Sequence, residues 1–218
     1  VYLTILDSIM KTLSRLQFKL SYTLLALLVI ALLTALGLWQ VQRGQEKEAL
    51  LQQAAQQETH SPLLWRPSKA LPQMFQRLQL RGRYLPYTLL LDNQYWQHQW
   101  GYHVLNLLEV ASGQVVLVDR GWVAGDLRRV ILPVITIPKG WIEMVGQTYY
   151  PSPKGVILGD IVESKNASIM VVERVEPKLI SNILHKKVYP FIMRLDKSAL
   201  HGYVREWPIV AMSPQRHY

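Results

Sequence analysis

Histidine side chains are the first candidates in this chain for ligating a metal or transferring a proton, and their spacing along the sequence does not predict a site. The six are scattered along the sequence: His60, His98, His103, His185, His201 and His217. Only His98 and His103 are close to each other, and Gly101 lies between them. This spacing is more typical of a hairpin surface than of a metal site.

The signature motifs of enzymes are missing from the sequence. It contains no glycine-rich phosphate loop, no G-x-S-x-G elbow and no H-E-x-x-H pair. Asp92, Asp119 and Asp126 stand beside turn-forming residues, where aspartate is common because its side chain bonds the nearby backbone. The chain has no cysteine, which excludes thiol redox chemistry, thiolate copper transfer and disulfide bridges. These features favour a protein that is not an enzyme.

The charge of the chain is basic. The formal net charge is +9, and residues 61–218 carry 19 Lys and Arg against 11 Asp and Glu. A basic domain can bind nucleic acid, but its basic doublets are limited to Arg128–Arg129 and Lys186–Lys187. Anionic lipid headgroups, or the propionates of a tetrapyrrole, account for the charge equally well. We therefore predict no nucleic-acid partner.

The longest apolar segment has the length of a membrane-spanning helix. Residues 20–42 contain no Asp, Glu, Lys, Arg or His, and about 20 residues cross the hydrocarbon layer as a helix. A cleaved signal peptide is the alternative, but its apolar region is shorter, about 7 to 15 residues. Tyr22 and Trp39 stand where aromatic side chains mark the two membrane interfaces. The sequence predicts a membrane anchor here.

The charges beside the anchor predict its orientation. Three basic residues precede it, whereas the two that follow are diluted by two glutamates. The positive-inside rule therefore places the N-terminus in the cytosol and the remainder of the chain outside. Residues 1–19 are predicted to form an amphipathic lead-in on the lipid surface, and a solvated basic start is the alternative.

After the anchor the sequence predicts first a helical stalk and then a β-rich domain. Residues 43–57 are rich in helix formers and lack β-branched residues, so the membrane helix should continue as a stalk over 43–60. Over 61–215, seven or eight short apolar or alternating segments are separated by turn residues. One short helix is predicted at Pro177–Lys187. We predict a membrane-anchored α+β protein whose domain is an antiparallel barrel or sandwich.

Several stretches occur in an order and spacing typical of one family. They are LGLWQVQRGQEK at 36–47, RGRY at 81–84, LLLDNQYWQHQWGYHVLNLL at 89–108, VVLVDRGWV at 115–123 and REWPIVAMSPQRHY at 205–218. Together they resemble the Surfeit locus protein 1 family of cytochrome c oxidase assembly factors. The resemblance spans residues 36–218, and the ordered set is far more specific than any one motif.

The resemblance implies a role in building the haem-copper oxidase without catalysing a reaction. The protein would bind haem a transiently and assist its insertion into the catalytic subunit. A scaffold that binds the oxidase subunit without haem is the alternative, and an anchored extracytoplasmic enzyme is a third class. The implied partners are the catalytic subunit and membrane lipid, with the haem a synthesis machinery as an option. The implied location is the bacterial cytoplasmic membrane with a periplasmic domain, or else the mitochondrial inner membrane facing the intermembrane space.

The resemblance also implies a haem site at the end of the chain. His217 and Arg216 match the family position at the membrane edge, where neutral imidazole can ligate haem iron and arginine can pair with a propionate. An interfacial pair that contacts lipid headgroups is an equal alternative. Family members continue from here into a second transmembrane helix, so residues 216–218 are expected to begin one.

Two further groups are implied as partner-binding or structural motifs. The first, on the anchor helix, consists of Trp39, Gln40 and Arg43. The second, in the domain, consists of Arg120, Gly121 and Trp122. For the second group a structural role is the alternative, in which the glycine permits a kink at a strand end and the tryptophan fills the core.

We predict that the basic residues before the anchor fix its topology. Replacing Lys11, Arg15 and Lys19 together by Gln should leave insertion efficient but scramble the orientation, because the charge bias across the anchor is lost. The measurement is the activity of an alkaline phosphatase fused to the C-terminus, which folds only outside the cytosol. A fully active fusion would show that another feature sets the orientation.

Overall fold

A computed structural model describes residues 2–67, 70–111, 113–151, 162–164 and 168–207. The chain divides into two compact units, Val1–Leu51 and Gln52–Tyr218. One helix, α1 (Tyr2–Glu58), runs for 57 residues without a break through the predicted lead-in, anchor and stalk. The boundaries predicted between those three segments stay predictions.

The first unit is helical and apolar. From Leu20 onward, α1 is long and apolar enough to cross a membrane, and none of its most apolar stretch is buried within the protein. A helix that exposes apolar side chains all round needs lipid or another protein around it. The helix therefore fits the predicted membrane anchor.

The second unit contains the strands. In the part of the chain that the structure describes, they are β1 (Leu63–Leu64), β2 (Arg77–Trp96), β3 (Gln99–Val110), β4 (Val115–Ala124), β5 (Trp141–Tyr149), β6 (Val162–Ser164), β7 (Ile169–Val172) and β8 (Val188–Leu195). A short helix, α2 (Pro177–Leu184), precedes the last strand. Proline occupies the first turn of α2, where its missing N–H leaves no hydrogen bond unmade.

The strands pair in one sheet. Its order is β3-β4-β8-β5-β2-β7-β6, with β1 beside β2 and an additional pairing between β3 and β2. The pairings of β2, β3, β4, β8 and β5 therefore form a closed circuit. The length of β2 makes this possible, because residues 77–83 pair with β5 while residues 88–96 pair with β3.

The sheet is mixed, so the predicted antiparallel arrangement is wrong. β4 pairs with β8 in parallel, and β2 pairs in parallel with both β7 and β1. Parallel partners cannot be joined by a hairpin, so their direction leaves no local sign in the sequence. The anchored α+β class fits the structure, whereas the barrel or sandwich stays a prediction.

Strand β2 unites two segments that the sequence pattern separates. Pro86 lies within it and suggests a break, because proline cannot donate a ladder hydrogen bond. The pairing of β2 with β3 shifts register between Tyr84 and Thr88, which brackets this proline. An irregularity of this kind is where a strand tolerates proline.

The core is apolar and close-packed. Its largest fully buried side chains are Phe75, Phe191, Leu78, Leu80, Leu89, Leu90, Leu105, Leu107, Leu108, Leu117, Ile180 and Met193. Trp65 joins the core edge-on, with ring centroids 5.0 Å from Tyr189 and 5.3 Å from Phe191. Each such side chain contributes about 1.5 to 3 kcal/mol when removed from water. This core holds β3 and β4 in place, and the candidate site lies on those strands.

Candidate functional site

A buried arginine organises the C-terminal half of β4. Arg120 Nε donates to His201 O at 2.8 Å, and Nη1 donates to Asn106 Oδ1 at 2.8 Å and to Thr136 O at 2.9 Å. Its guanidinium also lies 5.0 Å from the ring centroid of Tyr203. All three acceptors are uncharged. A buried charge is costly unless hydrogen bonds and polarisable groups replace its water, and these contacts do so.

The partners of Arg120 are themselves fixed. Asn106 is fully buried, and its amide donates to Tyr87 O at 3.0 Å and to Thr88 Oγ1 at 2.9 Å. Burial raises the pKa of Tyr84 to about 12, with partial offset from the Arg120 charge. Tyr84 is therefore neutral at physiological pH and presents an uncharged ring 5.7 Å from the Arg120 guanidinium.

The two residues after Arg120 bind the segment that follows β8, residues 196–207, which we name the C-terminal segment. Gly121 has a φ of +111°, and a Cβ there would lie 2.5 Å from Val204 O. Trp122 N donates to Val204 O at 2.7 Å, and Val204 N donates back at 3.1 Å. The indole N–H of Trp122 donates to Gln94 O at 3.1 Å. Glycine is required here because the two backbones approach so closely.

A histidine–aspartate pair lies on the same two strands. His103 Nδ1 is 3.0 Å from Asp119 Oδ2, and Asp119 Oδ1 accepts a hydrogen bond from Gly121 N at 3.0 Å. The carboxylate engages Nδ1, so Nε2 is the ring nitrogen left for another partner. This carboxylate–histidine arrangement is the one that orients metal-ligating histidines.

Protein side chains alone do not complete a metal site at this pair. Among the described residues, no group of three or more His, Asp and Glu side chains could hold a metal ion. A single histidine can nevertheless ligate the iron of a haem, because the macrocycle supplies four of the ligands.

An aromatic cleft of about 710 Å³ borders the histidine. Its walls include Trp96, Trp122 and Trp207. The Trp207 ring packs on His103 with centroids 5.5 Å apart, and the Trp96 and Trp122 centroids are 5.4 Å apart. The indole N–H of Trp96 is buried and has no hydrogen-bond partner within the described part of the chain. The tryptophan rings can stack on a flat ligand, and polar side chains that also line the cleft, including Gln94, Lys197 and Glu206, can bond polar groups at its edge.

Trp207 and Lys197 also border a second cleft, of about 390 Å³, which contains Arg77 and Arg194. Burial lowers the pKa of Arg194, and the charge of Asp119 partly opposes this effect. The Arg194 guanidinium lies 3.7 Å from the Tyr149 ring centroid, and its Nη1 has no hydrogen-bond partner among the described residues. Arg77 is occupied by Asp196 at 3.0 Å. Arg194 therefore has donor capacity for an anionic group.

The predicted residues on α1 come together only in part. Trp39 and Arg43 line one shallow groove of about 370 Å³, where Arg43 Nη1 pairs with Glu46 Oε2 at 2.8 Å. Gln40 is exposed but does not line this groove, because one residue along a helix turns the side chain by about 100°. His217 and Arg216 lie outside the described residues, as does the whole stretch 208–218 in which the second membrane helix was expected to begin.

The sequence interpretation is wrong for His103, which is mostly buried on β3 rather than on a hairpin surface. For Asp119 it holds in part: the residue is buried within β4, but its carboxylate does accept from the backbone N–H of Gly121, two residues on. His98 does lie in the β2–β3 turn, with a φ of +64°. Strand register could have revealed the pair. Asp119 lies opposite Leu105 of β3, and Leu105 is two residues from His103 on the same face, so Asp119 and His103 are diagonal neighbours.

Comparison with known proteins gives one match to a family. The sequence profile of the SURF1 family matches residues 27–218, which include most of the apolar helix and all of the β domain. No curated protein matches the chain.

We predict that Gly121→Val destabilises the domain through a steric clash as well as backbone strain. Gly140→Val is the matched control, because Gly140 has a φ of +86° but a Cβ there would meet open space, with no contact within 4 Å. The control should lose about 1 to 2 kcal/mol, and Gly121→Val should lose clearly more. Urea denaturation and protease resistance measure the difference. Normal abundance of Gly121→Val with failed oxidase assembly would assign the glycine to partner binding instead.

We expect Arg120→Leu to cost about 3 kcal/mol or more of unfolding free energy, because it removes three hydrogen bonds from a charged donor and leaves the buried Asn106 Oδ1 without that donor. Arg128→Leu, at an exposed position nearby, should change stability by less than about 0.5 kcal/mol. Denaturation curves of the two variants give the comparison. Similar small losses in both would show that the Arg120 network is not a main source of stability.

Proposed function

Because the chain belongs to the SURF1 family, which is associated with cytochrome c oxidase assembly, we propose that it binds haem a and helps to insert it into the oxidase catalytic subunit. The observation that carries this proposal is the family match, which covers the apolar helix and the basic domain together. The family consists of assembly factors rather than enzymes, so the haem is cargo and no bond is made or broken.

Three features of the described residues support a tetrapyrrole as the cargo. The Nε2 atom of His103 is oriented by Asp119 and can meet a metal. The tryptophan rings of the aromatic cleft can pack against a flat macrocycle. Arg194 and Lys197 can pair with propionates. When bound, the haem would supply an iron centre that accepts an imidazole ligand.

We assign the iron ligand to His217 and the propionate partner to Arg216, following the resemblance. His217 comes ten residues after Trp207 in the sequence. His103 is the second candidate for the ligand, favoured by its bond to Asp119. In the assigned arrangement, the residues of the aromatic cleft orient the macrocycle and shield it from water.

The second candidate function is a scaffold that binds the oxidase catalytic subunit without haem. The exposed groove on α1 that contains Trp39 and Arg43 favours it, since a helix face of this kind can meet another membrane protein.

In both cases we place the N-terminus in the cytosol and the domain outside a bacterial cytoplasmic membrane. The corresponding place in a mitochondrion is the intermembrane-space side of the inner membrane.

The test is the absorption spectrum of the full-length protein purified from cells that make haem a. His217→Asn should abolish or shift the haem band, because the imidazole ligand is lost. His185→Asn is the matched control: His185 caps α2 in the left-handed conformation, which asparagine tolerates, and the spectrum should not change. Arg216→Ala should only weaken haem retention, because an ion pair near water contributes about 1 kcal/mol or less.

Each other outcome contradicts a defined part of the proposal. A spectrum that survives in His217→Asn but is lost in His103→Asn would move the ligand to the aromatic cleft. The absence of any haem band in the unsubstituted protein, combined with normal oxidase assembly, would leave the scaffold as the function. Oxidase activity of the membranes, measured in parallel, should fall with His217→Asn.

A further inference from the structure

The loop between β4 and β5 exposes a group of large aliphatic side chains. Leu127 is 87% exposed, Val130 77%, Ile131 70% and Val134 94%. Single exposed apolar residues are common on protein surfaces, but a cluster this exposed within eight residues marks an interaction surface. We name residues 127–140 the apolar loop.

Hydrogen bonds hold the first turn of the apolar loop in shape. The Asp126 carboxylate accepts from the backbone N–H of Val130 at 3.1 Å and of Ile131 at 3.3 Å. The carbonyl of Asp126 also accepts from Arg129 N at 2.7 Å. The N–H groups of Arg129, Val130 and Ile131 are therefore satisfied by the protein itself, as buried N–H groups must be if water is to be removed from them.

Arg129 pins the loop to the domain. It has a left-handed backbone with a φ of +57°, which costs a non-glycine residue free energy. Its guanidinium lies 4.5 Å from the Trp100 ring centroid and donates to Asp92 Oδ2 at 3.0 Å. Asp92 is in turn held by the indole N–H of Trp100 at 3.1 Å. These contacts stabilise a conformation that the loop would not adopt alone.

The far side of the loop packs inward. Leu132 and Ile135 contact the core cluster that contains Trp100, and Thr136 O accepts a hydrogen bond from Arg120. The loop thus buries some of its aliphatic residues and holds the others outward.

The charges of the loop indicate the chemistry of its partner. Residues 127–140 include Arg128, Arg129 and Lys139 and no acidic residue. All three are exposed, but Arg129 is paired with Asp92. Aliphatic side chains flanked by cations are the composition that binds an anionic membrane surface. The chain also carries a helix suited to crossing a membrane, so a lipid surface is available to the tethered domain at high effective concentration.

We propose that the apolar loop inserts into the interfacial region of an anionic lipid bilayer. Leu127, Val130, Ile131 and Val134 enter the boundary between headgroups and acyl chains, and Arg128 and Lys139 meet lipid phosphates. The loop then forms a membrane attachment of the domain in addition to α1. This inference requires neither haem nor an oxidase subunit, so it stands or falls apart from the proposed function.

The absence of cysteine from the chain allows a direct test. The full-length Val134→Cys variant is labelled with a polarity-sensitive fluorophore and reconstituted into liposomes of phosphatidylcholine and phosphatidylglycerol. Its emission should shift to the blue, and brominated lipids should quench it. Leu200→Cys is the matched control, an aliphatic position that is 80% exposed outside the loop. The label at 200 should stay accessible to iodide in water and insensitive to brominated lipid.

The cations of the loop are tested in the same labelled protein. Arg128→Gln combined with Lys139→Gln should reduce the quenching by brominated lipid, as should liposomes of phosphatidylcholine alone. Both positions are exposed, so urea denaturation should show an unchanged fold. A label at 134 that stays as accessible to iodide as the label at 200 overturns the proposal. Protection that appears only when an oxidase subunit is reconstituted with the protein also overturns it, in favour of a protein partner.

Discussion

The arrangement of the domain depends on one charge that has been taken out of water. Arg120 sits in β4 with its guanidinium surrounded, and each acceptor belongs to a different part of the chain: Asn106 to β3, Thr136 to the β4–β5 connection and His201 to the C-terminal segment. Without any one of these acceptors, an N–H group of the guanidinium would lose its hydrogen bond. That loss costs far more free energy than the loss of an ordinary contact. The network therefore favours assembly of the three parts together.

Both candidate interaction surfaces follow from this constraint. The C-terminal segment is fixed through His201. It positions Trp207 against His103 on one side and beside the second cleft, which contains Arg77 and Arg194, on the other. The β4–β5 connection, fixed through Thr136, presents the apolar loop. The Arg-Gly-Trp sequence therefore has a structural role whether or not it also meets a partner. Because one network supports them both, the aromatic cleft and the apolar loop keep a constant relation to each other.

Much of the fold could be predicted from the sequence, because the periodicity of apolar residues and the distribution of charged residues are visible within short stretches of the chain. The absence of charge in residues 20–42 predicts the anchor, and the pattern of β3, β4, β5 and α2 follows from alternation and turn residues. Strand direction could not be predicted, since β4 and β8 meet only through the tertiary fold. The pair of His103 and Asp119 lies on the neighbouring strands β3 and β4, but a register shift between His103 and Leu105 hides it from a simple count. The sequence also treated Arg128 and Arg129 alike, although Arg129 pairs with Asp92. The ligand role of His217 stays a prediction.

The bond from Arg120 to His201 joins residues 81 positions apart, and it has a consequence for biosynthesis. A chain is synthesised from its N-terminus, so β2, β3 and β4 are complete while the C-terminal segment is still unmade. During that interval the arginine has no complete set of acceptors, and the strands around it cannot close over it at low cost. The domain therefore cannot close over Arg120 until nearly all of its sequence has been made, which gives chaperones and quality-control proteases a period in which to recognise it.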